Sequence, residues 1–297
     1  MRAQVNYLPD GRRLHLQDGP IDLIVEAFGT AESVRAAYET ATHRFATILD
    51  ELCQELPLLR TQSGPKTPLP TSTTARRMAA AVAPYAARTF ITPMAAVAGA
   101  VAEEVLQAMT MAAQLSKAYV NDGGDIALHL SPGERFTIGM IDRPDRPSLF
   151  GSASLRPTDP VRGIATSGWR GRSFSLGIAD AVTVLAARAS AADAAATIIA
   201  NAVDLPHHPN VRRAPARNVT PDSDLGDLLV TCEVGDLSTK EVNHALASGN
   251  AVAQQLIAES LIHSAALHLR GVTRIVSAEH ARLPFTQQNA HGSLVHA

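Results

Sequence analysis

The chain has 297 residues, of which 46% are apolar, 18% charged and 4% aromatic, enough to bury a sizeable core as one large domain or two intimately packed ones. Twenty-six basic side chains against 28 acidic ones give a formal charge of −2, and the Lys and Arg are spread out, which excludes the clustered footprint of nucleic-acid binding. Two cysteines far apart, Cys53 and Cys232, exclude a disulfide framework and suit a reducing compartment.

Residues 1–10 show no basic-then-apolar leader, so a cytoplasmic protein is expected. Residues 4–28 alternate apolar and polar positions around Asp10-Gly11 and Asp18-Gly19, which predicts two or three antiparallel strands. Val34, Ala37, Tyr38, Ala41, Phe45, Ile48, Leu49 and Leu52 recur at helical spacing until Pro57. Residues 61–72 are a Pro- and Thr-rich loop, followed by a helix over about 74–87 and another from Pro93 to about Leu115. The apolar run 79–105 is interrupted by Pro84, Arg88 and Pro93, so it falls short of the roughly 20 uninterrupted apolar residues of a membrane span.

Strands are expected over 117–141, near 149–155 and 161–166, and at Ala181–Ala186, with a turn-rich connection at 142–147. A helix begins after Ser190, residues 205–226 read as a long loop, and a strand at 228–232 leads into a helical region over about 239–269.

Four segments carry chemistry, and each has a plainer alternative. Asn121-Asp-Gly123-Gly124-Asp125 lets backbone approach a ligand closely, or is a hairpin turn. Thr166-Ser167-Gly168 ends a strand in two hydroxyls fit for a phosphate or ribose, or is an ordinary strand exit. Asp193 and Thr197, four apart on one helix face, offer hard oxygen donors for Mg²⁺; alternatively Ser190 is an N-cap and Asp193 completes a capping-box-like start. Thr92-Pro93-Met94 opens a helix of small residues, suited to a flat ligand or to tight packing.

Taken in order, these segments resemble the ApbE-like superfamily, whose best-known members are FAD:protein FMN transferases. Ala96-Val-Ala98-Gly99 with Glu103 looks like the family's Ala-Lys-Gly helix with its later Asp. Asn121, Gly123, Gly124 and Asp125 match its Asn-x-Gly-Gly-Asp/Glu strand end, and Ala165–Gly168 its Ala-Thr-Ser-Gly. Val182–Val184 and Ala192–Thr197 match the last strand and helix. The resemblance is strongest over 85–203, and the segment Ser173–Val182 is similar to an uncharacterised branch.

The resemblance implies a single α/β (α+β) domain over 1–297, with mixed or antiparallel sheets and helices around a nucleotide cleft. It implies Mg²⁺ and FAD as cofactors, a small-molecule nucleotide and a protein acceptor as partners, and no membrane partner. Asp193 and Thr197 would hold the metal, with a carbonyl from residues 95–98. Asn121, Gly123, Gly124, Asp125, Thr166, Ser167 and Gly168 would line the nucleotide.

The chain departs from the family in two places. The family lysine is Ala98, and the interval Trp169–Asp180 holds neither the family histidine nor its Asp-Pro-x-Thr-Gly. Arg170 or Arg172 offers positive charge from another direction. Three activities therefore stay open: flavin-nucleotide transfer or hydrolysis, nucleotide binding without turnover, and an enzyme acting on an unrelated small molecule. His207-His208 in a Pro-rich loop, His263 and His268 on the expected helix, and Cys232 in a strand carry no assigned role.

Overall fold

Inward-facing leucines and valines build the second and third strands, and the first, exposed along its length, pairs at their edge. In β1 (Gln4–Tyr7), β2 (Leu14–Asp18) and β3 (Ile21–Phe28), an antiparallel meander, Leu14, Leu16, Leu23 and Val25 point to one side as the pleat requires. The computed structural model describes residues 3–141, 149–277 and 285–287, so the connection expected at 142–147 lies outside the described residues. Helix α1 (Ala31–Gln54) opens on Thr30, whose hydroxyl accepts the Ser33 N–H, and buries Ala37, Tyr38, Ala41, Phe45, Ile48 and Leu52 against β2 and β3.

A short α2 (Leu56–Leu59) and α3 (Thr73–Val82) follow. The latter stops earlier than the expected Ala87 because Pro84 cannot donate an N–H and its ring blocks the preceding turn. A 3-10 turn over Pro93–Ala96, tightened by the Met94 N–H to the Thr92 hydroxyl, precedes α4 (Val97–Ala112), so the α-helix itself begins four residues beyond Pro93.

The remaining elements are β4 (Lys117–Asp122), β5 (Asp125–Leu130), β6 (Phe136–Ile141), β7 (Leu149–Leu155), β8 (Gly163–Ser167), β9 (Ala181–Ala186), α5 (Ala189–Ala202), β10 (Val211–Pro215), α6 (Ala216–Val219), β11 (Leu229–Val234), α7 (Thr239–Ala258), β12 (Ser264–Leu269), β13 (Val272–Ser277) and β14 (Phe285–Gln287). Nine strands form one sheet in the order β1-β2-β3-β4-β5-β8-β9-β12-β13, beside sheets β10-β11 and β14-β7-β6. Every pairing among the described residues is antiparallel. The fold is thus α/β with antiparallel sheets.

One face of the large sheet carries the helices. α1 and α4 pack on Val25, Val120 and Ala127, while α5 and α7 pack on Val182, Val184 and Leu267. On the opposite face Leu128, Leu130, Ile164 and Leu185 form a smaller cluster with Leu155 and Ile138.

Two expectations are corrected. The helix read over 239–269 ends at Ala258, and Ser264–Leu269 is a strand buried along its whole length, so His268 is on a strand and His263 just before it. A central strand presents a continuous apolar run that periodicity cannot distinguish from helix. The 205–226 loop contains β10 and α6; β10 carries two arginines and ends on proline, which hid its strand character.

Candidate functional site

The β4–β5 hairpin places two carboxylates side by side. Asp122 and Asp125 are register partners flanking Gly123-Gly124, whose φ values of 63° and 112° suit a two-residue turn that only glycine adopts freely. Asn121 Oδ1 accepts the Gly124 N–H at 2.8 Å, so Asn121 and Gly124 hold the hairpin itself. Alternation from buried Val120 and Ala127 turns both aspartates toward the helix-covered face.

Strand alternation also splits the second motif. Thr166 shares a face with Ile164, away from the helices, and its hydroxyl lies 2.9 Å from that of Thr183. Ser167 faces the helices, and the Thr166 N–H donates to Asp125 Oδ1 at 3.2 Å. Gly168 packs so closely that a Cβ would meet the Asp180 carbonyl oxygen at 2.5 Å.

On α5 the expected capping arrangement is replaced by another. The N-cap is Arg188, without a side-chain bond, and Ser190 lies inside the helix, where its N–H and Oγ both donate to Glu103 Oε1 at 3.0 Å. Asp193 does not cap its own helix: its Oδ2 accepts the Gly99 N–H of α4 at 3.0 Å. The two helix starts are therefore tied by carboxylates exchanged between them. Gly99 permits the crossing, since a Cβ there would strike the Ala189 carbonyl and approach Ser190 N to 2.7 Å. The small residues after Pro93 accordingly serve tight packing, against α5 as well as against the sheet strands β4 and β5. Thr197, one turn beyond Asp193, is partly exposed.

These placements bring Asp122, Asp125 and Asp193 within electrostatic reach of one another. Burial pushes the Asp122 carboxyl up to about 7, against the pull of the Asp22 N–H and the Arg172 guanidinium. Burial also raises Asp125, and the charges of Asp193 and Asp122 add to it against the Thr166 N–H. Asp193 is raised by burial and by Asp122, while the N–H groups of Gly99 and Ala98 oppose the rise. Both keep partial exposure at the surface.

The donor set suits a hard cation. Carboxylate and hydroxyl oxygens are the ligands Mg²⁺ takes, and it commonly keeps waters and binds one or two carboxylates together with substrate phosphates. Among the described residues no group of three or more His, Cys, Asp and Glu side chains is placed to hold a metal ion. Two cavities, of about 560 Å³ between α1 and the start of α3 and about 230 Å³ between α2 and α3, are lined by none of the residues above.

The sequence placed Asp122 only inside the glycine-pair motif and Glu103 only in the family's helix pattern, and it singled out no task for Asp180. Asp180, nearly fully buried, accepts from Trp169 Nε1 at 3.3 Å, Arg170 Nε at 2.9 Å and the Arg270 N–H at 2.7 Å, and so anchors the interval that departs from the family pattern. A lone charged residue opening an otherwise apolar strand was the available signal. The two adjacent histidines do not converge on a ligand, because His207 adopts φ 59° and His208 Nε2 bonds Glu241 at 2.9 Å. Cys232 is a partly buried free thiol on β11. No helix among the described residues is long and apolar enough to cross a membrane.

A family model described as "AbpE bacteria" matches residues 5–275. The UPF0280 protein of Methanopyrus kandleri is 40% identical over 130 residues, covering 43% of this chain and 48% of that protein. The UPF0280 protein of Methanothermobacter thermautotrophicus is 42% identical over 118 residues, covering 38% and 43%. The chain thus spans just under half the length of these curated relatives. Among solved structures, the apo flavinyl transferase ApbE of Pseudomonas stutzeri overlaps 94% of this chain and 96% of its own at 11% identity and a TM-score of 0.43. The flavin transferase ApbE of Vibrio cholerae overlaps 93% and 98% at 12% identity and a TM-score of 0.39.

Proposed function

Because the chain belongs to the AbpE bacteria family, an ApbE-like family, we propose that it binds FAD with Mg²⁺ and cleaves the FAD pyrophosphate, passing FMN to a hydroxyl group of an acceptor protein. The observation that carries this reading is the meeting of three distant segments, the Asp122–Asp125 hairpin, the Thr166–Gly168 strand end and Asp193, through the Thr166–Asp125 bond and the shared charge of the aspartates.

In this reading Asp193 and Thr197 hold the metal, and Asn121, Gly123, Gly124, Asp125, Thr166, Ser167 and Gly168 border the nucleotide. Bound Mg²⁺ supplies charge stabilisation for the phosphate oxygens as negative charge builds there. The chain's own part is orientation. The Gly99 N–H fixes one Asp193 oxygen, the Thr166 N–H fixes one Asp125 oxygen, and the Gly123-Gly124 turn adds no side chain of its own to the approach. The acceptor oxygen bonds to the FMN phosphorus as the bond to the AMP oxygen breaks, so AMP leaves and the hydroxyl proton is released.

A second reading, nucleotide binding without transfer, is favoured by one feature: residues 169–180 contain no histidine to take that proton. Incubating the full chain with FAD, Mg²⁺ and candidate acceptor proteins separates the two. Release of AMP supports transfer or hydrolysis. Tight FAD binding without AMP supports the second reading, and no FAD binding with or without Mg²⁺ defeats both.

A further inference from the structure

We propose that Arg172 is the cation that grips the phosphates of the bound nucleotide, an inference that rests on the nucleotide reading above. The interval between β8 and β9 carries two arginines, and the structure separates their tasks. Arg170 is committed inward: its Nε donates to buried Asp180 at 2.9 Å, and its guanidinium stacks 4.2 Å from the centre of the Trp169 ring. Arg172 is exposed and reaches over the β4–β5 turn.

The contacts of Arg172 fix where its charge lies. Its Nη2 donates to the Pro20 carbonyl at 3.0 Å, anchoring the side chain to the β2–β3 turn. Its Nη1 lies 3.2 Å from the point where a Cβ on Gly123 would stand, so the guanidinium lies directly over this turn. One carbonyl uses one of the five N–H donors of the planar fork, a geometry matched to phosphate oxygens.

Charge balance argues for the same role. A phosphate approaching Asp122, Asp125 and Asp193 meets carboxyl oxygens, acceptors like its own. The α4 start that touches Asp193 offers only uncharged Ala95-Ala-Val-Ala-Gly-Ala100. Arg172 already bears electrostatically on Asp122, so its positive charge is placed at the rim of this cluster. An exposed arginine held at its base by a backbone carbonyl is oriented before the ligand arrives.

The test uses the full chain with Mg²⁺ and FAD as the probe, comparing wild type with Arg172→Met and Arg172→Lys by titration calorimetry at low and high salt. We expect Arg172→Met to weaken FAD binding by about tenfold or more, with a shallower loss of affinity as salt rises. Arg172→Lys should recover the salt dependence and part of the affinity, since it restores the charge without the fork. The melting temperature without ligand should match wild type, because the side chain is exposed. Affinity of Arg172→Met within about twofold of wild type, or an unchanged salt dependence, overturns the inference while leaving the nucleotide reading standing. Failure of the wild type to bind FAD overturns both.

Discussion

Gly99 and Gly124 both lie in motifs read from the sequence, but their surroundings give them different sensitivities. Gly99 sits where α4 crosses α5, and an added Cβ would collide with the Ala189 carbonyl and Ser190 N, both backbone and unable to swing away. Gly99→Ala is expected to cost about 3 kcal/mol or more, read as a lowered urea midpoint. Gly124 has open space around it but φ of 112°, so Gly124→Ala should cost about 1–2 kcal/mol through backbone strain alone. A larger loss at Gly124 than at Gly99 would contradict this account. Asp193 offers a complementary test, because an amide at that position still accepts the Gly99 N–H while losing the charge a metal needs. Mg²⁺ with FAD should raise the melting temperature of wild type and leave Asp193→Asn unmoved, with the variant folding as well as wild type without ligand. At this scale the family resemblance named Asp193 and Asp125, yet the sequence had no access to the partner of either carboxylate. Ser190 looked like a cap because serine, followed three residues later by an acid, has that form locally; its acceptor, Glu103, lies 87 residues away.

Helix starts decide much of the behaviour of single elements here. α3 begins without a side-chain cap of its own, and Glu55 at the end of α1 supplies one from outside, accepting the N–H groups of Thr71 at 2.6 Å and Ser72 at 2.9 Å. Burial would raise the Glu55 carboxyl, but these N–H groups and the neighbouring hydroxyls outweigh it and hold it at about 2. The folded value lies below the ordinary 4.5, so the contribution is present in full above pH 4.5 and disappears as pH falls toward 2. Glu55→Gln should therefore be less stable than wild type by about 1 kcal/mol at neutral pH, with the gap closing through that acidic window. A gap constant with pH would mean that the carboxylate charge plays no part. Elements with clear periodicity, α1 and the N-terminal meander, were legible from residues alone. The strand β12 was not, because Ser264–Leu269 is buried on both faces and continues the apolar spacing of α7 past Ser260, whose φ of 59° breaks the helix in a way no side chain announced.

Across the whole molecule, one buried carboxylate joins regions far apart in sequence. Asp180 receives Trp169 and Arg170 from the interval after β8 and the Arg270 N–H from the β12–β13 turn, while its own N–H donates to the His268 carbonyl. It thereby ties the loop that holds Arg172 to the far half of the nine-stranded sheet. The strand order that makes this possible, with β8 inserted between β5 and β9 and β12 placed next to β9, comes from long-range pairing that local spacing does not encode. Asp180→Ala removes the acceptor from three donors in a nearly closed setting and is expected to cost about 3–5 kcal/mol. Trp169 is the single tryptophan of the chain, so its emission reports this junction directly. Loss of the indole hydrogen bond and of the packing around it should shift the emission to the red before the global urea transition, as the 169–177 loop loosens while the sheet persists. Coincident loop and global transitions, at a midpoint equal to that of wild type, would show that Asp180 does not hold the loop to the sheet.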